Sequence, residues 1–310
     1  MDALSIGPAT FIVGHPRSGT SLLRALLDNH PDLLVLPFES HLFDWVGAGD
    51  PVDAVLDRTR LWATLHRHRP SLSRADVEDV LKRAFGRARD PRVRLLALVE
   101  GWRELTGARQ GTRWVEKTPR HLYESNTLLE WFPAEARILV MRRDPRDVMA
   151  SNLKREPSRT IFEMALTGRL AHQVVTEQER DARVSVVPYE GLVRDPEGTM
   201  QTVCRFLDIP FGASLVTPTV LGAEYSGNSR FNSDLQGVSG AAVGRYRDVL
   251  SPPGLEMAEA LLAPVLSAGG YTPDISKSGR AHLAPRAAIT MIVRSGLWRS
   301  RALRSAFGGS

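Results

Sequence analysis

Residues 9–28 read ATFIVGHPRSGTSLLRALLD. An apolar run, Thr10–Val13, enters a turn bounded by Gly14 and Gly19. An amphipathic stretch follows, with Leu22, Leu23, Leu26 and Leu27 on one face and Pro31 beyond it. Strand, glycine turn and helix start, in that order, build a phosphate cradle, because the free N–H groups of a helix N-terminus attract anions. The spacing is that of G-x-x-x-x-G-K-[ST], with Gly14, Gly19 and Ser21 in place. Thr20 stands where the lysine belongs, and the loop's positive charge is Arg17. A kinase or NTPase uses that lysine with Mg²⁺ on a transferring γ-phosphoryl group. The loop therefore predicts a different phosphate compound.

Outward from this unit, Arg113–Glu116, Arg137–Met141 and Val184–Val187 read as three further buried strands, each followed by helix-forming sequence. Alternating strands and helices predict an α/β class: a P-loop-type parallel sheet flanked by helices, with right-handed crossovers. About a hundred residues separate the first two of these strands, too many for one crossover. A helical insert over about 40–110 accounts for them, with helical pieces at 51–68, 73–87 (capped by Ser73) and 91–105. It is expected to cap the substrate side of the sheet. Past Gly222, residues 223–248 are rich in Gly, Ser and Asn and read as a long functional loop. The amphipathic stretch 255–271 closes the fold as a helical C-terminal segment. One domain is expected over 1–276, followed by a basic tail over 277–310. That tail mixes apolar residues with arginines and reads as a partly ordered terminus, or as a docking or membrane-surface helix.

The 310 residues could fill about two domains, although one α/β domain of this length is ordinary. A composition 43% hydrophobic and 24% charged allows a sizeable core. With 40 basic against 35 acidic residues the net charge is +5. That surplus favours anionic ligands, and its even spread argues against a nucleic-acid partner. Cys204 is the only cysteine, which excludes an intrachain disulfide and a thiolate zinc cluster; its apolar surroundings make it core filler. The first residues lack the features of a secretory signal, and no run approaches the ~18 apolar residues of a membrane span. The expected location is the cytoplasm.

A second constellation lies in RILVMRRDPRDVMASNLKRE, residues 137–156. Arg143 leaves the strand, Ser151 lies in the following helix, and Arg155 sits one turn further along the same face. Arg143, Ser151 and Arg155 together suit a phosphate monoester. The same stretch also fits a surface salt-bridge network among Arg142, Asp144, Arg146 and Asp147. Two phosphate pockets at adjacent strand ends imply a ligand with phosphate at two places. No convincing metal-binding strand is present, since ILVMRRD places two arginines before Asp144, and no metal is expected.

The runs PRSGTSLLRALLDNHPD (16–32) and RDPRDVMAS (143–151) resemble the two cofactor signatures of sulfotransferases that use 3′-phosphoadenosine 5′-phosphosulfate (PAPS). The resemblance extends from about Pro8 to Tyr271. It is nearest to bacterial sulfotransferases and reaches, more distantly, the protein-tyrosine sulfotransferases. It implies in-line transfer of a sulfuryl group to an acceptor hydroxyl or amine. Arg17, Ser18, Gly19, Thr20 and Ser21 would hold the 5′-phosphosulfate, with His15 and Pro16 opening the same loop. Arg143 and Ser151, with Arg155 beside them, would hold the 3′-phosphate. Tyr189 in VVPYEGLVRDP would contact the cofactor, or pack as an ordinary core tyrosine. Residues 232–248 resemble a loop that covers the nucleotide, with Ser239 and Arg245 as its contacts.

For the chemistry, the resemblance points to Glu39 in LPFESHLF as the base, one position further along than the glutamate of the tyrosine-specific enzymes. Glu116 in WVEKTP is the rival, with His15 and His41 behind it. Lys117 resembles a lysine that neutralises charge on the bridging oxygen. A lysine found beyond the covering loop in the tyrosine-specific enzymes has no counterpart near Pro252. The implied acceptor is a small molecule, carbohydrate or lipid. An ATP- and Mg²⁺-dependent kinase and a non-catalytic nucleotide-binding relative are the alternatives.

Overall fold

Six consecutive buried residues, Ala9–Gly14, form β1 at the centre of a five-stranded parallel sheet. The structure, a computed structural model, describes residues 6–43, 66, 71–86, 90–133, 136–225 and 237–275. β1 leads through α1 (Thr20–Leu27) to β2 (Leu33–Val35). Then come α2 (Arg74–Gly86), α3 (Pro91–Thr106) and β3 (Arg113–Lys117), followed by a 3-10 turn (Pro119–Glu124), α4 (Ser125–Trp131) and β4 (Arg137–Arg142). α5 (Pro145–Arg155), α6 (Ile161–Gln178), β5 (Val184–Pro188), α7 (Tyr189–Arg194) and α8 (Pro196–Leu207) continue the chain. α9 (Tyr246–Val249) and α10 (Pro252–Ala268) complete the described part.

The strand order is β2-β3-β1-β4-β5. β1 pairs with β3, placing Ile12 beside Lys117, and with β4, placing Gly14 beside Met141. The chain leaves β1 toward one edge and returns on its other side as β4. The resulting crevice lies outside the carboxyl end of β1, where open α/β sheets bind ligands. Phe11 and Trp114 of one sheet face pack with α3, α6 and α10, while Ile12 packs on the other with α1, Met141 and α8. Leu23, Leu26 and Leu27 are buried as expected, and Cys204 is core filler; Leu22 is only partly buried.

Two elements depart from the sequence reading. β2 is a fifth strand where four were expected; three residues are too few to establish a period. The insert consequently follows β2 instead of α1. α6 was not foreseen either, because it buries residues around much of its circumference, from Met164 to Gln178, and so lacks a clean amphipathic stripe. Its start is nonetheless a capping box, Thr160 with Glu163.

The insert's described helices are a layer of the fold. Ser73 caps α2, its hydroxyl accepting from Asp76 N–H at 3.2 Å, and Asp90 caps α3. α3 sends Leu95, Leu98, Val99 and Trp102 into the core, where Trp102 stands edge-on to Phe38 at 6.2 Å. This anchors the segment that follows β2. Most of the expected helix at 51–68, residues 226–236 of the Gly/Ser/Asn stretch and the tail at 277–310 lie outside the described residues.

The start of α5 is tied to the C-terminal segment by a buried ionic cluster. The Arg146 guanidinium is 3% exposed and meets Asp144 at 2.8 Å and Glu259 at 2.5 Å. Removing it would leave two carboxylates without a counter-charge. Arg146→Ala is therefore expected to lower stability by about 3–5 kcal/mol, measured by equilibrium denaturation.

Candidate active site

The turn between β1 and α1 is wound tightly. Arg17 is left-handed, with φ 77°, and Gly19 has φ 107°. A side chain at residue 19 would begin 2.5 Å from the Tyr189 ring, so only glycine lets α7 approach. Gly19 gives α1 no side-chain cap, which leaves the first-turn N–H groups available for an anion. Ser18 is 1% exposed, yet its hydroxyl has no partner among the described residues. A buried, unpaired hydroxyl beside an uncapped helix start fits a bound phosphate or sulfate oxygen.

Arg143, Ser151 and Tyr189 converge on this loop. Arg17 Nε donates to Ser151 Oγ at 3.0 Å, and Arg143 donates to the Arg17 carbonyl at 3.1 Å. The Arg143 guanidinium stacks 4.4 Å from the centre of the Tyr189 ring. It also reaches the Ala242 carbonyl at 2.5 Å and Asp147 at 3.8 Å, while its Nε is buried without a partner among the described residues. Asp147 in turn accepts from Gly244 N–H at 2.8 Å and Tyr246 N–H at 3.0 Å, holding the 240–246 loop over Arg143. Sequence reading placed Asp147 only in a surface salt-bridge network; in the fold it ties two chain segments together beneath the site.

Three expected residues stand apart from that cluster. Arg155 does not join it: its side chain is 48% exposed and faces Glu156 at 3.8 Å. Ser239 accepts from Ala241 N–H at 3.2 Å, and Arg245 donates to the Ala241 carbonyl at 2.9 Å. Both therefore shape the covering loop; Arg245 lies near enough to Tyr189 to act on it electrostatically.

On the other side of the loop, β3 delivers Lys117. Its Nζ reaches Ser21 Oγ at 3.3 Å and pairs with the Glu39 carboxylate. Glu39 is 32% exposed and also meets His41 at 3.2 Å. Burial pushes the Glu39 carboxyl upward, but the Lys117 charge and the His41 contact outweigh it and hold the group well below the usual carboxylate range. Burial and Arg24 together lower the Lys117 ammonium, against the pull of Glu39. Arg24, unremarked in the sequence, donates to the Pro37 carbonyl and braces the same segment.

Successive strand residues face opposite ways, and Glu116 points away from this pair. It is fully buried and accepts from Ser40 N–H, Ser40 Oγ, Thr118 Oγ and His121 Nδ1. A carboxylate with both oxygens so engaged has no access to a reacting group. His15 donates from Nδ1 to the Pro16 carbonyl; burial, with Arg159 and Arg120 nearby, lowers its pKa to about 4.

The family model described as "Sulfotransferase family" matches residues 8–213. The chain is 28% identical over 294 residues to a protein-tyrosine sulfotransferase of Drosophila melanogaster, covering 86% of this chain and 52% of that protein. With protein-tyrosine sulfotransferase 1 of Danio rerio the identity is 27%, over 86% of this chain and 73% of that one. The chain thus spans about half the length of the fly relative. In fold it is similar to the sulfotransferase domain of the Synechococcus PCC 7002 olefin synthase, with TM-score 0.62, 21% identity and coverage of 86% of this chain and 97% of that domain.

Proposed function

The chain belongs to the sulfotransferase family, and we propose that it transfers a sulfuryl group from PAPS to an acceptor hydroxyl, with Glu39 as base. The observation that carries this reading is the Lys117 ammonium, set between Glu39 and the Ser21 hydroxyl of the phosphate loop. Arg17–Ser21 take the 5′-phosphosulfate. Arg143 and Ser151 take the 3′-phosphate, which the unpartnered Arg143 Nε favours, while the unpartnered Ser18 Oγ favours an anion in the 5′ loop. Tyr189 and the 239–245 loop enclose the nucleotide.

The Lys117–Glu39 pair provides a charge exchange. The acceptor oxygen attacks sulfur as the bond to the bridging phosphate oxygen breaks, and Lys117 moves toward that oxygen as negative charge grows on it. Losing its counter-charge raises the proton affinity of Glu39 at the moment the acceptor proton must leave. Glu116 is too enclosed to serve as base. His15, held to the Pro16 carbonyl and with its pKa lowered by burial, stays neutral in the loop. A small molecule, carbohydrate or lipid would fit the acceptor role, with the cytoplasm as the site of action.

Arg143→Ala is expected to weaken binding of 3′,5′-adenosine bisphosphate by ~1.5–3 kcal/mol, the range for charged hydrogen bonds, or roughly 10- to 150-fold. An unchanged dissociation constant removes the 3′-phosphate assignment. The activity is tested by incubating the protein with radiolabelled PAPS and a panel of alcohols, phenols, sugars and amines. Label transferred in a Glu39-dependent way supports the reading. PAPS that binds but is never consumed would favour a non-catalytic relative.

A further inference from the structure

The exit of β3 contacts the Glu39 segment residue by residue. Lys117 pairs with Glu39, and Glu116 Oε1 accepts from Ser40 N–H at 3.1 Å and Ser40 Oγ at 2.8 Å. Thr118 Oγ accepts from His41 N–H at 3.4 Å while donating to Glu116 at 2.5 Å. His121 donates to Glu116 Oε2 at 3.1 Å and stands edge-on to Phe43 at 5.1 Å. His41, a non-glycine residue, is left-handed at φ 46°, a conformation that persists only where surroundings impose it. Glu116 and His121 are both buried, and the His121 Nε2 has no partner among the described residues.

We propose that Glu116 is a positioning residue for Glu39: with Thr118 and His121 it fixes Ser40–Phe43, so that the neighbouring carboxylate is held against Lys117. The proposal rests on the reading of Glu39 as the base and explains why a second glutamate sits beside the lysine without facing the ligand. One carboxylate oxygen gathers three donors from two segments. A buried carboxylate accepts at both oxygens, whereas glutamine keeps one accepting oxygen and turns an amide NH2 donor toward its neighbours. Glu116→Gln therefore loosens the template without emptying the site. Ser40→Ala removes a single donor and leaves the packing intact.

The test follows the Glu39 carboxyl directly, by carbon-13 NMR of the full chain carrying labelled glutamate, with the signal assigned by its loss in Glu39→Gln. Lys117, His41 and Arg24 are the charged or titratable groups that face it. In the unaltered protein Glu39 should stay ionised to well below its usual midpoint near ~4.3. In Ser40→Ala and Glu116→Gln its proton affinity should rise about tenfold or more, because the contact with Lys117 is no longer enforced. A role confined to stability would lower the melting temperature and leave that midpoint unmoved. Folded variants with an unmoved midpoint overturn the proposal; should Glu116→Gln not fold, Ser40→Ala decides it. Retained transfer by Glu39→Gln would sink the base assignment instead, whatever the NMR midpoint does.

Discussion

Glu39→Gln is expected to lower turnover by roughly 100- to 10,000-fold, the usual contribution of a positioned general base. The substitution keeps the shape of the side chain and its contact with His41, so 3′,5′-adenosine bisphosphate should bind within about twofold of its normal affinity. The loss should appear in kcat and kcat/KM together, since a base acts on the acceptor only as its proton departs. Steady-state kinetics on an acceptor found with radiolabelled PAPS checks this. Full activity would pass the role to another group, and the enclosure of Glu116 leaves His15 or His41 as the next to examine.

Lys117→Ala is expected to cost roughly 100- to 1,000-fold in kcat, the range for removing one preorganised charge or donor at a developing anion. Lys117 is 3% exposed, so no other cation can drift into its place without rearranging the loop. The variant separates the two partners of the ion pair. Without the ammonium, Glu39 should titrate closer to an ordinary carboxylate, so the acid limb of the rate profile should move to higher pH. The sign follows from the pairing: a carboxyl held low by a cation regains proton affinity when the cation is removed. An acid limb that stays in place would separate Glu39 from catalysis.

The phosphate loop was legible in the sequence because everything that makes it is local: an apolar strand, glycines at fixed spacing and a helix start. Arg143 and Ser151 were legible for the same reason, being carried on one strand end and the helix after it. Their meeting with Arg17 was not, since Arg17 and Ser151 are joined across the fold at 3.0 Å. Arg155 was misplaced because i, i+4 spacing puts two residues on one helix face without saying how far that face stays covered; the last turn of α5 emerges into solvent. That Glu116 and Lys117 project from opposite faces of the sheet could have been read from strand alternation alone. Adjacent residues of β3 cannot both point toward the turn after β1, and Lys117 does so through Ser21. Ser40, Thr118 and His121 gave no such signal, because their roles exist only where β3 meets the segment after β2.

The most direct test is calorimetric titration of the protein with 3′,5′-adenosine bisphosphate, with and without Mg²⁺, beside ATP with Mg²⁺. Tight binding of the bisphosphate, indifferent to metal and weakened in Arg143→Ala, is the predicted result. Binding of ATP only with Mg²⁺, and none of the bisphosphate, would contradict the two-phosphate site and return the loop to the kinases despite Thr20.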